Sequence, residues 1–316
     1  PMRPGGGSAA RKMSSPVTTL PKPGARKNPV RFEEAPVAEP RASIIVPAHN
    51  EEAVIRNTLS SLLRDTTVGE FEVIVVCNGC NDGTAELVRR NFDTVEVIEL
   101  GVASKTEAIN AGLRSARGRD VLLLDADIEI SGGSARALVN ALNTPGIDAA
   151  IGHIEIDVEG GSWPVRAFYR VWARHPYLSG GKFAAAIALS RNAVDRIGQL
   201  PAVIADDTYL RRLFLPENVA VVDAVSFKVR VPRTLPALIR VRSRVHRGNR
   251  QLDRLAARPQ HLSRESTSVF CKEILRHPGL WIDVPWFVAV GIAARLLAKV
   301  SAPAWHRDLT SRQAIG

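Results

Sequence analysis

From Ala42 onward, short apolar runs alternate with amphipathic stretches, and this alternation constrains the fold more than any other feature of the 316-residue chain. The runs are rich in Val, Ile and Leu, whereas the stretches between them carry apolar residues at helical spacing. Strands that alternate with helices in this way are typical of βαβ units. The sequence therefore predicts an α/β fold with a mainly parallel sheet, whose strand carboxyl ends share one ligand-binding edge.

The elements can be placed along the chain from these patterns. Strands are predicted at residues 43–48, 71–78, 95–100, 120–127 and 148–156. Helices are predicted at residues 51–64, 84–91, 105–116 and 163–175. Two further strands, 184–190 and 217–231, flank a helix at 207–214, and the part after residue 232 reads as mostly helical.

Charge divides the chain into three parts. Residues 1–41 hold 8 basic and 3 acidic groups, a net charge of +5, and without a buriable apolar run they are predicted to be a disordered basic tail. Residues 42–232 carry a net charge of −5 and form the predicted α/β domain, and residues 233–316 form a basic helical extension of net charge +10. Because the middle of the chain is acidic, nucleic acid is not expected as a partner.

Cysteine content and hydropathy indicate the cellular compartment of the protein and its relation to the membrane. Three cysteines cannot build a disulfide framework, and the tail lacks the apolar stretch of a signal peptide, so a cytoplasmic setting is expected. The longest uncharged apolar run, 284–294, is about half of the ~20 residues that span a bilayer. Trp281 with Arg295 and Lys299 instead fits an interfacial helix on the inner face of the cell membrane. A buried or dimer-forming helix is the alternative, which leaves a homo-oligomer open.

Polar side chains collect where the predicted strands end. Asn78 closes one strand, Asp125 and Asp127 close another, and Asp206 and Asp207 precede a helix. Two carboxylates two residues apart suit Mg²⁺ or Mn²⁺, which complete their coordination with water and substrate phosphates. A nucleotide diphosphate at this edge is therefore expected, although an isolated Asp-x-Asp is also common as a solvated strand end.

Several motifs occur together in a fixed order between residues 42 and 248. They are Pro47-Ala48-His49-Asn50-Glu51-Glu52, Cys77-Asn78-Gly79-Cys80-Asn81-Asp82-Gly83-Thr84, Lys105-Thr106-Glu107-Ala108-Ile109-Asn110-Ala111-Gly112, Asp125-Ala126-Asp127 and Ala205-Asp206-Asp207-Thr208-Tyr209-Leu210. This ordered set resembles family 2 of the nucleotide-sugar glycosyltransferases, and the resemblance implies a GT-A fold.

The resemblance also implies an activity and a set of site residues. The implied reaction is inverting transfer of one sugar from a nucleotide diphosphate-sugar donor to a hydroxyl of an acceptor, either lipid-linked or a cell-envelope glycan. Asp207 is implied as the catalytic base, Asp127 as the ligand of Mg²⁺ or Mn²⁺, and Gly181 and Asp206 as acceptor-binding residues. The implied donor nucleotide-binding residues are Pro47, Ala48, Asn50, Glu51, Asn78, Lys105, Asp125 and Ala126.

A later basic segment supplies charge for the leaving diphosphate. Arg244-Val245-His246-Arg247-Gly248 resembles the Gln/Arg-x-x-Arg-Trp motif of the family's processive polysaccharide synthases, and Arg244 and Arg247 are the predicted diphosphate-binding residues. Gly248 stands in place of the Trp. Because this removes an aromatic platform for a growing polymer, a single transfer is expected.

Two other functions remain open at this level. A sugar nucleotidyltransferase shares the sheet and the metal-binding carboxylates, but it opens with a Gly-rich basic loop where this chain has Asn50-Glu51-Glu52. A non-catalytic scaffold could use the two basic ends to bind an anionic polymer or a membrane. Release of nucleoside diphosphate from a donor distinguishes a transferase from a scaffold.

Overall fold

A central β-sheet organises the chain. The computed structural model describes residues 39–175, 178, 183–255 and 265–300, all within one compact unit. In these ranges the strands are β1 (Ala42–Ala48), β2 (Phe71–Asn78), β3 (Val95–Leu100), β4 (Asp120–Leu124), β5 (Ala149–Asp157), β6 (Ala186–Leu189) and β7 (Val219–Arg230). They form one seven-stranded sheet in the order β3-β2-β1-β4-β6-β5-β7.

The helices of the same ranges surround this sheet. They are α1 (Ile55–Leu63), α2 (Thr84–Asn91), α3 (Lys105–Ser115), α4 (Gly132–Ala141), α5 (Trp163–Trp172), α6 (Arg191–Ile197), α7 (Asp206–Leu213), α8 (Leu235–Leu255), α9 (Glu265–Leu275) and α10 (Val284–Val300). Short 3₁₀ turns occur at Pro216–Asn218 and Pro278–Leu280.

Strand pairing confirms the predicted α/β class with a mostly parallel sheet. β1 pairs in parallel with β2 and β4, β2 with β3, and β5 with β7, whereas β6 runs antiparallel to both β4 and β5. Every residue of β1 is buried, because helices cover both faces of the sheet at its centre. This burial explains why the strand reads as one continuous apolar run.

Two predicted boundaries differ from the structure. The strand predicted at 120–127 ends at Leu124, because the chain then turns and the Ile128 N–H donates to the Asp125 carbonyl at 3.1 Å. The helix predicted from residue 51 begins at Ile55, because Asn50 adopts a positive φ of 53° at the bend after β1. The tail predicted to be disordered lies almost wholly outside the described residues.

One helix packs closely against the sheet through a glycine. A side chain at Gly112 of α3 would overlap Ile45 of β1. Gly112 therefore lets α3 approach the sheet, and Lys105 at the start of this helix is fixed relative to the strand ends.

The helices after residue 232 pack on α5. Phe168, Leu238 and Val290, from α5, α8 and α10, belong to one buried cluster. Arg170 of α5 also donates two 2.7 Å hydrogen bonds to the buried carboxylate of Asp283, which precedes α10. A domain boundary at residue 232 stays a prediction. No helix among the described residues is long and apolar enough to cross a membrane.

Candidate active site

A cleft of about 1080 Å³ lies at the carboxyl ends of β1, β2 and β4 and is bordered by α7 and α8. Ten of the predicted site residues line it together: Pro47, Glu51, Asn78, Lys105, Asp125, Ala126, Asp127, Asp206, Asp207 and Arg244. Ala48, Asn50 and Arg247 are not among its lining residues, and Gly181 lies outside the described residues. The sequence motifs thus converge on one cavity although they span most of the chain.

Asn50 shapes the loop beside this cavity. Its Oδ1 accepts a hydrogen bond from the Asn81 N–H at 2.7 Å, and its N–H donates to Cys80 Sγ at 3.4 Å. The Glu51 N–H donates to Thr84 Oγ1 at 2.9 Å. The loop after β1 is therefore joined to the loop after β2, and Asn50 supports the site from outside the cavity.

Asn78 is the buried polar residue at the end of β2, with 1% of its surface exposed. Its Nδ2 donates to the Ala48 carbonyl at 2.8 Å, which fixes the amide orientation because a flipped amide would place two acceptors together. Its Oδ1 has no hydrogen-bond partner among the residues that the structure describes. An unsatisfied buried acceptor costs about 1–3 kcal/mol, so a ligand N–H that reached it would be bound favourably.

Lys105 lies between two carboxylates. Its Nζ is 2.7 Å from Asp125 Oδ1 and 2.9 Å from Asp206 Oδ2. Ser104 caps the helix by accepting from the Glu107 N–H at 3.3 Å, which places Lys105 at the first turn of α3. The ammonium therefore ties the end of β4 to the start of α7.

Burial and charge shift the pKa values of this cluster. Burial raises the pKa of Asp206, and the nearby carboxylates of Asp207 and Asp125 act in the same direction against the lowering effect of Lys105. Burial opposes the charged form of Lys105, but the attraction of Asp125 and Asp206 outweighs it and raises the pKa of the amine. Lys105 therefore stays protonated at neutral pH and can also face an anionic ligand.

Asp207 occupies the first turn of α7. Its Oδ1 accepts from the Thr208 N–H at 2.6 Å and from Thr208 Oγ1 at 3.2 Å. The segment before it is held by Gln251 of α8, which accepts from the Ile204 N–H at 3.0 Å and donates to the Ala202 carbonyl at 2.8 Å. The carboxylate is thus positioned by its own helix start and by α8.

The donor set of the cleft fits a divalent metal. Among the described side chains, no group of three or more His, Cys, Asp or Glu converges as a metal site. Asp125 and Asp127 follow β4 into the cleft and offer hard carboxylate oxygens. Mg²⁺ and Mn²⁺ need only one or two such ligands when phosphates and water supply the rest. These two residues could therefore hold a metal together with a bound diphosphate.

Gly248 explains the departure from the aromatic motif. A Cβ added there would lie 2.7 Å from Ala205 Cβ, which is closer than real side chains approach. A Trp at this position would displace the segment that leads into Asp206. The neighbouring Arg244 lines the cleft, whereas Arg247 has a buried Nε that meets no partner within the described ranges.

Sequence reasoning missed several residues of this region. Thr58 of α1 is buried, and its hydroxyl donates to the Ala126 carbonyl at 2.8 Å, which fixes the backbone between Asp125 and Asp127. Trp172, Arg242 and Arg295 also line the cleft. None of them belongs to a local motif. The helical periodicity around Thr58 was the only available signal, and it indicated burial without a role.

Comparison with known proteins agrees with this geometry. Residues 43–197 match the family model described as Glycosyl transferase family 2. This segment belongs to glycosyltransferase family 2. The family 2 resemblance seen in the motifs is thereby confirmed.

Two curated glycosyltransferases that are similar to this chain share only part of their length with it. It is 30% identical over 96 residues to the probable glycosyltransferase YdaM of Bacillus subtilis, which covers 28% of this chain and 23% of that protein. It is 29% identical over 127 residues to the glycosyltransferase AglE of Haloferax volcanii, and this match covers 39% of this chain and 42% of that protein. The chain thus spans less than half the length of either relative.

A solved structure extends the likeness over most of the described fold. The mannosyltransferase PcManGT from Pyrobaculum calidifontis, in complex with GDP-Man and Mn²⁺, aligns with a TM-score of 0.56 and 22% identity. The alignment covers 84% of this chain and 76% of that one. This likeness confirms the expected GT-A fold.

Proposed function

We propose that this chain is a metal-dependent, inverting glycosyltransferase that moves one sugar from a nucleotide diphosphate-sugar to a hydroxyl of an acceptor. The observation that carries the proposal is the convergence of Asn78, Asp125, Asp127, Asp206 and Asp207 in one cleft. This reaction requires three kinds of group: a hydrogen-bond acceptor for the nucleobase, a pair of carboxylates that bind a metal, and a carboxylate that acts as general base. Neither sugar nucleotidyl transfer nor a purely scaffolding role would use all three kinds of group together.

The donor base is proposed to bind at Asn78. Because Nδ2 is already bonded to the Ala48 carbonyl, the side chain offers only its acceptor oxygen to a ligand. Uracil, thymine and guanine carry a ring N–H that can donate to this oxygen, whereas the ring nitrogen of cytosine accepts. Pro47, Ala48, Asn50 and Glu51 shape or border the same end of the cleft.

The diphosphate is proposed to lie near Lys105 and Arg244, with Arg247 supporting the same segment of α8. Asp127, with Asp125 and the Ala126 backbone, would hold Mg²⁺ or Mn²⁺. When bound, this ion supplies positive charge that stabilises the leaving diphosphate. The Mn²⁺ and GDP-Man bound by PcManGT support this assignment.

Asp207 is proposed to take the proton of the acceptor hydroxyl while the hydroxyl oxygen attacks the anomeric carbon from the face opposite the diphosphate. Asp206 is held by Lys105 and, with Gly181, would position the acceptor. The packing of Gly248 against Ala205 leaves no room for an aromatic platform and supports a single transfer.

We further propose that α10 contacts the inner face of the cell membrane. Val288, Ile292 and Leu296 follow one another at four-residue spacing and are 49%, 52% and 57% exposed. Exposed Lys272, Arg276 and Lys299 lie on α9, just after it and on α10. An apolar stripe beside basic side chains suits an anionic bilayer. A lipid-linked acceptor would be bound at this surface, and a cell-envelope glycan is the other acceptor class.

A donor panel tests the proposed activity. UDP-, GDP-, dTDP- and CDP-sugars are each mixed with the protein and Mn²⁺, and the thermal shift and slow release of nucleoside diphosphate are measured. We expect one donor with a ring N–H in its base to stabilise the protein and to be hydrolysed, and EDTA to abolish the release. Absence of both effects with every donor would contradict the proposal and favour a scaffold.

A further inference from the structure

Two residues in the lining of the cleft have a buried polar side-chain atom that finds no hydrogen-bond partner among the described residues. One is Asn78, whose Oδ1 the proposed function pairs with the donor base. The other is Asn249 of α8, whose Oδ1 is also buried. Because an unpaired buried acceptor is costly, each oxygen marks a place where a ligand that donates a hydrogen bond would be favoured.

Asn249 ends a stripe of α8 that faces the cleft. Val241, Val245 and Asn249 follow one another at four-residue spacing, which places them on one face of the helix, and all three line the cavity. The first two side chains are apolar. Asn249 therefore brings the hydrogen-bonding group of this stripe to the cleft.

The backbone on both sides of Asn249 is attached to the segment that leads into α7. Gly248 packs against Ala205, where an added Cβ would lie 2.7 Å from the Ala205 Cβ. Gln251 accepts from the Ile204 N–H at 3.0 Å. Asn249 is thus held in a fixed position beside the start of α7, which carries the proposed catalytic base.

The proposed diphosphate site lies on the same helix. Arg244 precedes Asn249 by five residues, which at a rise of about 1.5 Å per residue is about 7.5 Å along the helix axis. The sugar of a nucleotide diphosphate-sugar is bonded to the outer phosphate, and its anomeric carbon has to approach the hydroxyl that Asp207 deprotonates. The sugar therefore extends from the diphosphate toward the start of α7, where Asn249 lies.

The chemistry of such a donor matches the two unpaired oxygens of the cleft. Apart from its ribose, the molecule carries hydrogen-bond donors in the ring N–H of the base and in the hydroxyls of the sugar, whereas the diphosphate between them carries only acceptors. A sugar hydroxyl both donates and accepts, so it can pair with either end of a side-chain amide. Asn78 suits the base, and Asn249 suits the sugar.

We propose that Asn249 binds a hydroxyl of the transferred sugar and thereby selects the donor sugar. This inference rests on the proposed function, because it assigns a residue that determines specificity to the same cleft. A sugar that lacks the matching hydroxyl would leave the Asn249 oxygen unpaired, so it would bind more weakly. The nucleoside diphosphate has no sugar at this position, and its binding should not depend on Asn249.

Calorimetry on the full chain with Mn²⁺ tests this assignment. The probes are the member of the UDP-, GDP-, dTDP- and CDP-sugar panel that stabilises the unmodified chain, and its nucleoside diphosphate. Asn249→Leu keeps the approximate size of the side chain but removes its hydrogen-bonding atoms. We expect it to weaken the sugar nucleotide about tenfold and the nucleoside diphosphate less than about twofold. Asn192→Leu, at an exposed position on α6, should change neither affinity.

Deoxy analogues of the same donor locate the contact. Analogues that each lack one hydroxyl of the sugar are titrated into the unmodified chain and into Asn249→Leu. We expect one analogue to bind the unmodified chain about tenfold more weakly than the parent donor, and to bind the variant as well as the parent does. A residue that only stabilised α8 would not single out one hydroxyl.

Two results would overturn the inference. One is full affinity of every deoxy analogue for the unmodified chain, which needs no variant and so decides the question even if Asn249→Leu unfolds. The other is an equal loss of sugar nucleotide and nucleoside diphosphate in Asn249→Leu. Nucleoside diphosphate binding by the unmodified chain tests the proposed function separately, so the two failures can be told apart.

Discussion

At the scale of single residues, Asn78 combines a structural bond with an unused acceptor. Its amide nitrogen donates to the carbonyl of Ala48 at the end of β1, and its buried oxygen has no partner in the described part of the chain. The identity of the residue could be read from the sequence, but the direction of its amide could not. That direction depends on the Ala48 carbonyl, thirty residues away in the chain.

The first prediction concerns this acceptor. Asn78→Ala should weaken binding of the selected nucleoside diphosphate about fivefold, because one hydrogen bond contributes about 1 kcal/mol. Calorimetry measures the change, thermal denaturation checks the fold, and Asn192→Ala on the exposed face of α6 is the control. Tighter binding of CDP than of UDP and GDP by the unmodified chain would contradict this role.

Other single residues show which parts of the site sequence motifs can predict. Lys105, Asp125, Asp206 and Asp207 were placed in one site from local motifs, and the structure brings them into one cleft. Asn50 was also expected to bind the donor, but its side chain bonds to the Asn81 backbone. A motif identifies the kinds of polar side chain that a loop carries, yet only tertiary contacts decide which of them faces the cleft and which supports the loop.

At the scale of elements, α8 controls the start of α7 through one close contact. Gly248 has no side chain, and this lets α8 approach Ala205 directly before Asp206. The contact joins residues 43 positions apart, so the sequence indicated a missing Trp but gave no structural reason for it.

The second prediction tests this contact. Gly248→Ala should destabilise the protein by about 1–3 kcal/mol and lower turnover, because the new methyl group overpacks against Ala205. Ala205→Gly in the double variant should recover much of the loss. Urea unfolding and turnover are measured for both single variants and the double variant. Strictly additive changes in the free energy of unfolding would show that the two residues are not in steric conflict.

A third prediction concerns the turn before β2. Arg136 of α4 donates to Glu70 at 2.6 and 2.9 Å and lowers the pKa of that carboxyl to about 2. Because folding lowers the pKa of Glu70, its ionised carboxylate stabilises the folded protein at pH values above the ordinary pKa of 4.5. This stabilisation is lost as the pH falls toward 2. Because Arg136 is 34% exposed, solvent screening limits the expected contribution to about 1–2 kcal/mol.

Glu70→Gln should therefore lower the free energy of unfolding at pH 7 by that amount and by progressively less toward pH 2. Urea unfolding across this pH range measures the difference, and Glu159→Gln, at an exposed position, is the control. A difference that stays constant with pH would exclude the ion pair as its source.

Element boundaries were harder to predict than element types. Buried parallel strands produce continuous apolar runs, so β1, β2 and β4 were found from composition. The end of β4 is set by its pairing with β6 and by the turn in which the Ile128 N–H donates to the Asp125 carbonyl. Such pairing leaves no periodic signal in either segment.

At the scale of the whole molecule, α8 and α10 join the sheet-bearing part through α5. The charge by segment places the basic excess after residue 232. That Arg242 and Arg295 line one cleft could not be predicted, because they lie on α8 and α10, which meet only in the folded chain.

The fourth prediction concerns the exposed stripe of α10. The full chain should sediment with vesicles that contain anionic phospholipid, and less with neutral vesicles. Ile292→Asp together with Leu296→Asp should reduce this binding at least tenfold, because charged groups replace the inserted apolar ones. Val68→Asp, at a 95% exposed site between α1 and β2, should not. Equal binding by the three proteins would show that α10 is not the contact.

The central claim is that Asp207 removes the acceptor proton in a donor-loaded cleft. Turnover of Asp207→Asn is measured with the selected donor, Mn²⁺ and acceptor, beside donor binding by thermal shift. Asp195→Asn, an exposed site on α6, is the control. We predict that Asp207→Asn binds the donor normally but turns over about 10²–10⁴-fold more slowly, while the control is unchanged. Undiminished turnover by Asp207→Asn, with donor bound, would contradict the account.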